Sequence, residues 1–189
     1  MKPKLIILNG PLGIGKSTLA SRFADDHPNT LRLDIDDIRR NISHWREQAE
    51  QSAISSKQMS LAMARVHLGL GHDVVVAQIV RSVELFNEFE QITKDTNADY
   101  YEVLLFTDKD EAIRRFKERS YAQGHASGFR PGGLIDTGGR EEKLAIMYDE
   151  MIETANQRPN TIKIEPELDK EDATYRELLE KIGDSPQLP

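Results

Sequence analysis

Lys4-Leu5-Ile6-Ile7-Leu8-Asn9 runs straight into Gly10-Pro11-Leu12-Gly13-Ile14-Gly15-Lys16-Ser17, and this stretch decides the fold. The first six residues are a nearly continuous apolar run, as expected of a strand covered on both faces. The next eight match G-x-x-x-x-G-K-[ST], and each fixed position has a chemical reason. Glycines let the backbone curl until successive N–H groups point inward at phosphate oxygens, an approach that bulkier residues would block. Lys16 brings a point charge to the β- and γ-phosphates, and Ser17 supplies a hydroxyl for magnesium. Leu19, Ala20, Phe23 and Ala24 then recur at helical spacing, so a helix is expected over Lys16–Asp26. Its positive dipole end would face the same anions. The expected nucleotide cradle is therefore Gly10, Gly13, Ile14, Gly15, Lys16, Ser17 and Thr18, with ATP and Mg2+ as cofactors. The competing reading is a glycine-rich turn that only mimics the motif. The strand before it and the amphipathic helix after it weigh against that.

Outward from the loop, strand and helix alternate almost to the end of the chain. Residues 30–34, 73–79, 100–106 and 161–165 read as further strands, and residues 37–43, 45–70, 83–94, 109–119, 140–156 and 170–182 as helices. Strands joined by helices imply parallel pairing with right-handed crossovers. The predicted class is α/β: a three-layer α/β/α sandwich with a mainly parallel sheet of about five strands, the P-loop NTPase architecture of nucleotide kinases. A single domain is expected over residues 1–183, with a lid at about 109–140 and a frayed tail over 184–189. Residues 121–139 hold Gly124, Gly128, Gly132, Gly133, Gly138 and Gly139, which reads as either a mobile functional loop or disorder.

At 189 residues with 38% hydrophobic and 30% charged residues, the composition is that of an ordinary globular chain. Absence of cysteine excludes disulfides, thiolate metal sites and a Cys nucleophile. No apolar run reaches membrane-spanning length, and the first residues lead into phosphate-loop material rather than a signal peptide, so the cytoplasm is the expected compartment. A formal charge of −7 argues against a general nucleic-acid coat without excluding a local basic cleft.

The second strand ends Leu33-Asp34-Ile35-Asp36-Asp37-Ile38-Arg39-Arg40. Carboxylates at a strand's C-terminal end face the crevice where α/β sheets bind ligands. Asp36 and Arg39 stand three apart and would share a helix face. Asp36 could take a proton from an acceptor hydroxyl while Arg39 holds acceptor or transferred phosphate. The bland alternative is that Asp36 caps the helix and the arginines are solvated.

Gly10–Ser17 followed by Asp36-Asp37-Ile38-Arg39 resembles the kinase domain of phage polynucleotide kinase and its zeta-toxin-like and antibiotic phosphotransferase relatives. The resemblance spans about the first forty residues and, weakly, the lid. It implies a general base at Asp36 and an acceptor-side arginine at Arg39. The chain departs from that pattern at the end of the third strand, Val76-Ala77-Gln78, where relatives often carry an acidic residue. An amide cannot neutralise magnesium as a carboxylate does, which shifts metal duty to Ser17 with Asp34 or Asp36. Gln78 and Arg81 become acceptor-contact candidates, or surface residues.

Arg115 and Arg119 stand four apart on one helix face ahead of the glycine-rich loop. This resembles the lid of nucleotide-type kinases, which implies arginines that close over ATP and offset charge developing in transfer. The bland alternative is a charged outer face with ion pairs such as Glu111–Arg115. Arg130 is a second clamp candidate; His125 and Arg140 are weaker. His27, His44, His67 and His72 lack metal-ligand spacing and read as surface or packing residues. Met59, Leu61, Met63 and Ala64 read as the packed face of a helix.

These readings converge on a kinase for a small-molecule hydroxyl: a nucleoside, sugar, nucleotide sugar or antibiotic. A 5′-hydroxyl polynucleotide kinase and a regulatory ATPase without an acceptor are the alternatives. A guanine-reading N-K-x-D motif is absent, and an AAA-type shuttle would want a larger helical lid. Monomer and homodimer both remain compatible with the sequence.

Overall fold

The computed structural model describes residues 2–122, 140–167 and 170–185. Its elements follow in the order β1 (Lys4–Asn9), α1 (Lys16–Asp26), β2 (Leu31–Leu33), α2 (Ile35–Arg40), α3 (Ala49–Gly69), β3 (Val74–Ala77), α4 (Val83–Thr96), β4 (Asp99–Leu105), α5 (Lys109–Ala122), α6 (Arg140–Asn156), β5 (Ile162–Ile164) and α7 (Glu171–Lys181). The five strands pair in parallel in the order β2-β3-β1-β4-β5. β1 lies at the centre, and all six of its residues are buried, as its apolar run requires.

Alternation along β1 divides the core between the two faces of the sheet. Ile6 and Leu8 pack with Leu19, Ala20 and Phe23 of α1 and with Tyr175, Leu178 and Leu179 of α7. Leu5 and Ile7 pack on the other side with Ala64 and Leu68 of α3 and Phe86, Phe89 and Ile92 of α4. Each such side chain, fully buried, contributes roughly 1.5–3 kcal/mol. The result is the expected three-layer α/β/α sandwich. No described helix is long and apolar enough to cross a membrane.

Several boundaries differ from the sequence reading, each for a local reason. α2 begins at Ile35 rather than residue 37, because the Asp34 carboxylate accepts the backbone N–H groups of Asp36 (2.9 Å) and Asp37 (3.2 Å) and so caps the helix. The cap is thus Asp34, not Asp36. α3 begins at Ala49 rather than residue 45. His44 sits at φ 53 and residues 41–48 form turns, which leave Trp45 in a connection. The packed stripe of α3 is Ser52, Ser56, Ser60, Ala64 and Leu68, whereas Met59 and Met63 are exposed. Small residues there let the helix lie close to its neighbours, which turns the methionines outward. His27 is a packing residue, stacked on Phe23 and buried. Asp184, at the start of the expected tail, keeps its side chain only 7% exposed and pairs with Lys4 at 3.0 Å. Residues 186–189 lie outside the described residues.

Candidate active site

The loop after β1 has the backbone that its glycines permit. Gly10, Gly13 and Gly15 take φ values of 153, 81 and 110. A Cβ on Gly10 would lie 2.5 Å from the carbonyl oxygen of Leu105, so no larger residue fits there. A Cβ on Gly15 would meet nothing within 4 Å. Lys16 is buried, and its Nζ donates to the carbonyl oxygens of Gly10 and Pro11, both at 2.8 Å. The loop thus folds around its own cation, as an anion cradle requires. Ser17 is exposed and Thr18 half-buried on the first turn of α1. Ile14 buries its side chain in the core beside Leu19 and leaves its backbone to the loop.

Asn9 couples this loop to the opposite wall of the site. Its Oδ1 accepts the N–H groups of Gly10 and Val80, both at 2.8 Å, and its Nδ2 donates to the Val80 carbonyl at 3.2 Å. Val80 lies between Gln78 and Arg81, so one buried amide fixes that connection against the start of the phosphate loop.

A cleft of about 1010 Å³ opens beside the loop. Leu12, at the loop tip, lines it together with Asp36, Arg39, Gln78 and Arg81, four of the five residues expected at the acceptor; the fifth, Arg130, lies outside the described residues. Arg39 is buried; its Nε donates to Ser52 Oγ at 2.9 Å and its Nη2 to the Ala49 carbonyl, which ties α2 to the start of α3. Arg81 reaches across to Glu150 of α6 at 2.6 Å. Asp34 has a raised pKa: burial pushes it up, the Asp37 and Asp36 charges add to that, and the two capping N–H bonds oppose it. Among the described residues no group of three or more His, Cys, Asp or Glu gathers to cage a metal. A cation held by Ser17 and one carboxylate would draw its remaining ligands from phosphate and water, the usual habit of magnesium.

Helices α5 and α6 rest on the loop through apolar contacts: Phe116 and Leu144 pack with Leu12, Ile113 and Met147. Arg115 does not point into the cleft. It donates to Glu111 at 2.6 Å and to the Pro166 carbonyl at 3.2 Å, joining α5 to the segment after β5. The Glu111 carboxyl, hydrogen-bonded by Arg114 and Arg115, is pulled down to about 2. Arg119 and Arg140 are described only by their places on α5 and α6. His125, Arg130 and the glycine-rich run from Gly124 to Gly139 lie outside the described residues.

Sequence reasoning missed Asn9, Trp45, Arg46, the α6 face of Met147, Glu150 and Thr154, and Gln157 just after that helix, all but Asn9 lining the cleft. Two signals were available. Asn9 is a polar residue closing a buried strand, and the α6 positions recur at helical spacing.

Comparison with known proteins gives a family and a shared fold. A family model described as an AAA domain matches residues 5–130. The cytidine diphosphoramidate kinase of Campylobacter jejuni subsp. jejuni serotype O:2 is 27% identical over 125 residues, covering 64% of this chain and 71% of that protein. The tunicamycin resistance protein of Deinococcus radiodurans shares the fold with a TM-score of 0.63 at 11% identity, over 99% of both chains. The Mycobacterium tuberculosis APS kinase, solved with AMPPNP and APS, does so with a TM-score of 0.60 at 20% identity, over 97% of this chain and 99% of that one.

Proposed function

The chain belongs to the AAA domain family, and from that premise we propose that this P-loop kinase moves the γ-phosphoryl group of ATP onto a hydroxyl of a small-molecule acceptor in the cytoplasm. One observation carries the reading: the phosphate-loop tip lines the same cleft as Asp36, Arg39, Gln78 and Arg81. A cleft that reaches from the loop tip to these side chains supports a donor and an acceptor side by side, which phosphoryl transfer needs and a simple nucleotide switch does not. The cleft volume is at the upper end of the range for small-molecule pockets, roughly 300–1,000 Å³. The kinase names of the Campylobacter relative and the Mycobacterium neighbour point to the same chemistry.

Lys16 and the loop amides hold the donor phosphates, and Asp36 takes the proton of the attacking hydroxyl. Ser17 and Asp34 hold magnesium, which neutralises charge on the phosphates when bound. Arg39, Gln78 and Arg81 orient the acceptor. Arg119 and Arg130 are the cations that would offset charge developing on the phosphoryl group, and Arg115 would join them only by exchanging Glu111 and the Pro166 carbonyl for phosphate. Nucleosides, sugars, nucleotide sugars and antibiotics are the candidate acceptors.

The test is ADP release with magnesium against a panel of these compounds and 5′-hydroxyl oligonucleotides, using Lys16→Ala and Asp36→Asn as controls. Acceptor-dependent release, reduced at least about hundredfold in Asp36→Asn, is expected from loss of a general base. Acceptor-independent hydrolysis left intact by Asp36→Asn would overturn the proposal in favour of a regulatory ATPase. Turnover confined to the oligonucleotides would move the acceptor class to polynucleotide ends.

A further inference from the structure

We propose that the acceptor is an uncharged polyol whose hydroxyls are read by Thr154, Gln157 and Gln78, at a subsite on the α6 side of the cleft; this rests on the phosphotransfer reading above. The first observation is Thr154. Its residue is 5% exposed and lines the cleft, yet its hydroxyl makes no hydrogen bond among the described residues. The other buried hydroxyls on the described helices behave differently. Ser52, Ser56, Ser60, Thr93 and Thr174 each donate to a backbone carbonyl one turn back, the usual habit of such side chains in helices. A buried hydroxyl without a partner is costly, and a ligand hydroxyl that pairs with it offsets that cost.

The second observation is what stands beside it. Gln157, just past the helix, continues the turn: its N–H donates to the carbonyls of Glu153 (3.3 Å) and Thr154 (3.2 Å), while its side-chain amide is exposed and makes no hydrogen bond among the described residues. Arg158, the next residue, binds Glu102 of β4 at 2.9 Å and Glu90 of α4 at 2.7 Å, which anchors this end of α6. Gln78 is half-buried on the adjoining wall, and its amide likewise has no hydrogen bond among the described residues. Arg81, three residues after Gln78, joins the two walls by pairing with Glu150, one turn before Thr154. A hydroxyl and two amides thus line one cleft on an anchored frame, with their hydrogen bonds still to be made.

The third observation is the chemistry these groups ask for. Hydroxyl and amide side chains both donate and accept, as the hydroxyls of a polyol do. Glu150 is neutralised by Arg81, so on this face of α6 Glu153 alone is left to receive an ammonium group, and it would repel a carboxylate or phosphate. A nucleobase would want an aromatic face. Trp45, the aromatic side chain lining the cleft, already has the guanidinium groups of Arg46 and Arg39 at 4.5 and 5.4 Å from its ring centroid, so a base competes with two cations for it. A polyol needs none of these, and one of its hydroxyls remains for Asp36.

The protein is loaded with AMPPNP and magnesium and titrated in a calorimeter with glucose, ribose and myo-inositol. Cytidine and adenosine form the nucleobase arm, and gluconate and glucosamine the charged arms. At least one polyol is expected to bind, with no nucleoside or charged compound as much as about tenfold tighter. The tightest polyol is then compared with its monodeoxy analogues. One analogue should bind at least about tenfold weaker than its parent, and Thr154→Val should weaken the parent by about tenfold while leaving that analogue unchanged. Removing a hydroxyl that has no partner spares the fold, so the urea midpoint of Thr154→Val should equal or exceed that of the parent protein. Thr93→Val, which removes a buried bond to the Glu90 carbonyl, should lower the midpoint and leave polyol binding unchanged. Gln157→Ala should weaken the polyol by at least about threefold with AMPPNP binding unchanged. Unchanged polyol affinity in Thr154→Val, or a fall in its urea midpoint matching that of Thr93→Val, would each overturn the subsite. Binding by none of the three polyols, or binding about tenfold tighter in the nucleobase or charged arms, would overturn the polyol class. A polyol that binds yet releases no ADP when ATP replaces AMPPNP would remove the phosphotransfer reading and leave the subsite standing.

Discussion

At the scale of single residues, Asn9 fixes the start of the phosphate loop against the connection that follows β3. Its amide satisfies the N–H of Gly10 and both backbone groups of Val80 in a buried setting. Alanine at this position would leave those groups without partners and without water, an expected loss of about 2–4 kcal/mol in unfolding free energy measured with urea. The same change frees the connection bearing Gln78 and Arg81, so KM for the acceptor should rise more than KM for ATP. Equal rises in both constants would show that Asn9 supports the fold without setting the acceptor wall. Lys16 illustrates a complementary point. Its ammonium rests on two loop carbonyls, and these oxygens compete with a nucleotide for the cation.

At the scale of elements, α2 is a six-residue helix that carries Asp36 and Arg39, and it depends on Asp34 at its start. So short a helix gains little from propagation, which makes the cap a large share of its local stability. Asp34→Ala should cost about 1 kcal/mol and lower kcat by misplacing Asp36. Asp34→Asn keeps an oxygen for the same two N–H groups and should stay within a few tenths of a kcal/mol of the parent. A sharply raised magnesium requirement in Asp34→Asn alone would assign metal binding to Asp34, whereas an unchanged requirement would leave it a cap only. The elements themselves were largely legible because buried parallel strands read as apolar runs, as in Leu5–Leu8 and Val74–Val76. The phosphate loop was legible because its parts are contiguous. The cleft was not, because Asp36 and Glu150 meet only in the folded chain, and because Trp45 was assigned to a helix that the turn at His44 delays.

At the scale of the whole molecule, the site and the main tie between the chain's ends lie at opposite ends of β1. The phosphate loop follows Asn9, while Lys4 begins the strand and pairs with Asp184 beyond α7; His27, near the end of α1, stands 3.4 Å from the same carboxylate. One buried carboxylate thus joins the first strand and the first and last helices, far from the chemistry. Burial alone would push the Asp184 carboxyl upward, but the hydrogen bond and charge of Lys4, with the Ser185 N–H, outweigh it and hold the group below its ordinary 3.8. A carboxylate depressed by folding stabilises the native state above its unfolded pKa, and that contribution disappears as pH falls through the folded value. Asp184→Asn is therefore expected to lose about 2–4 kcal/mol at neutral pH, since it leaves Lys4 buried without its counter-charge. The difference between variant and parent should narrow as pH falls below about 3.8, where the parent's carboxyl also becomes neutral. Urea unfolding across a pH series measures both, with kcat at neutral pH expected to stay at the parental value. A stability gap that persists unchanged at low pH would mean that packing around residue 184, rather than its charge, holds the two ends of the chain together.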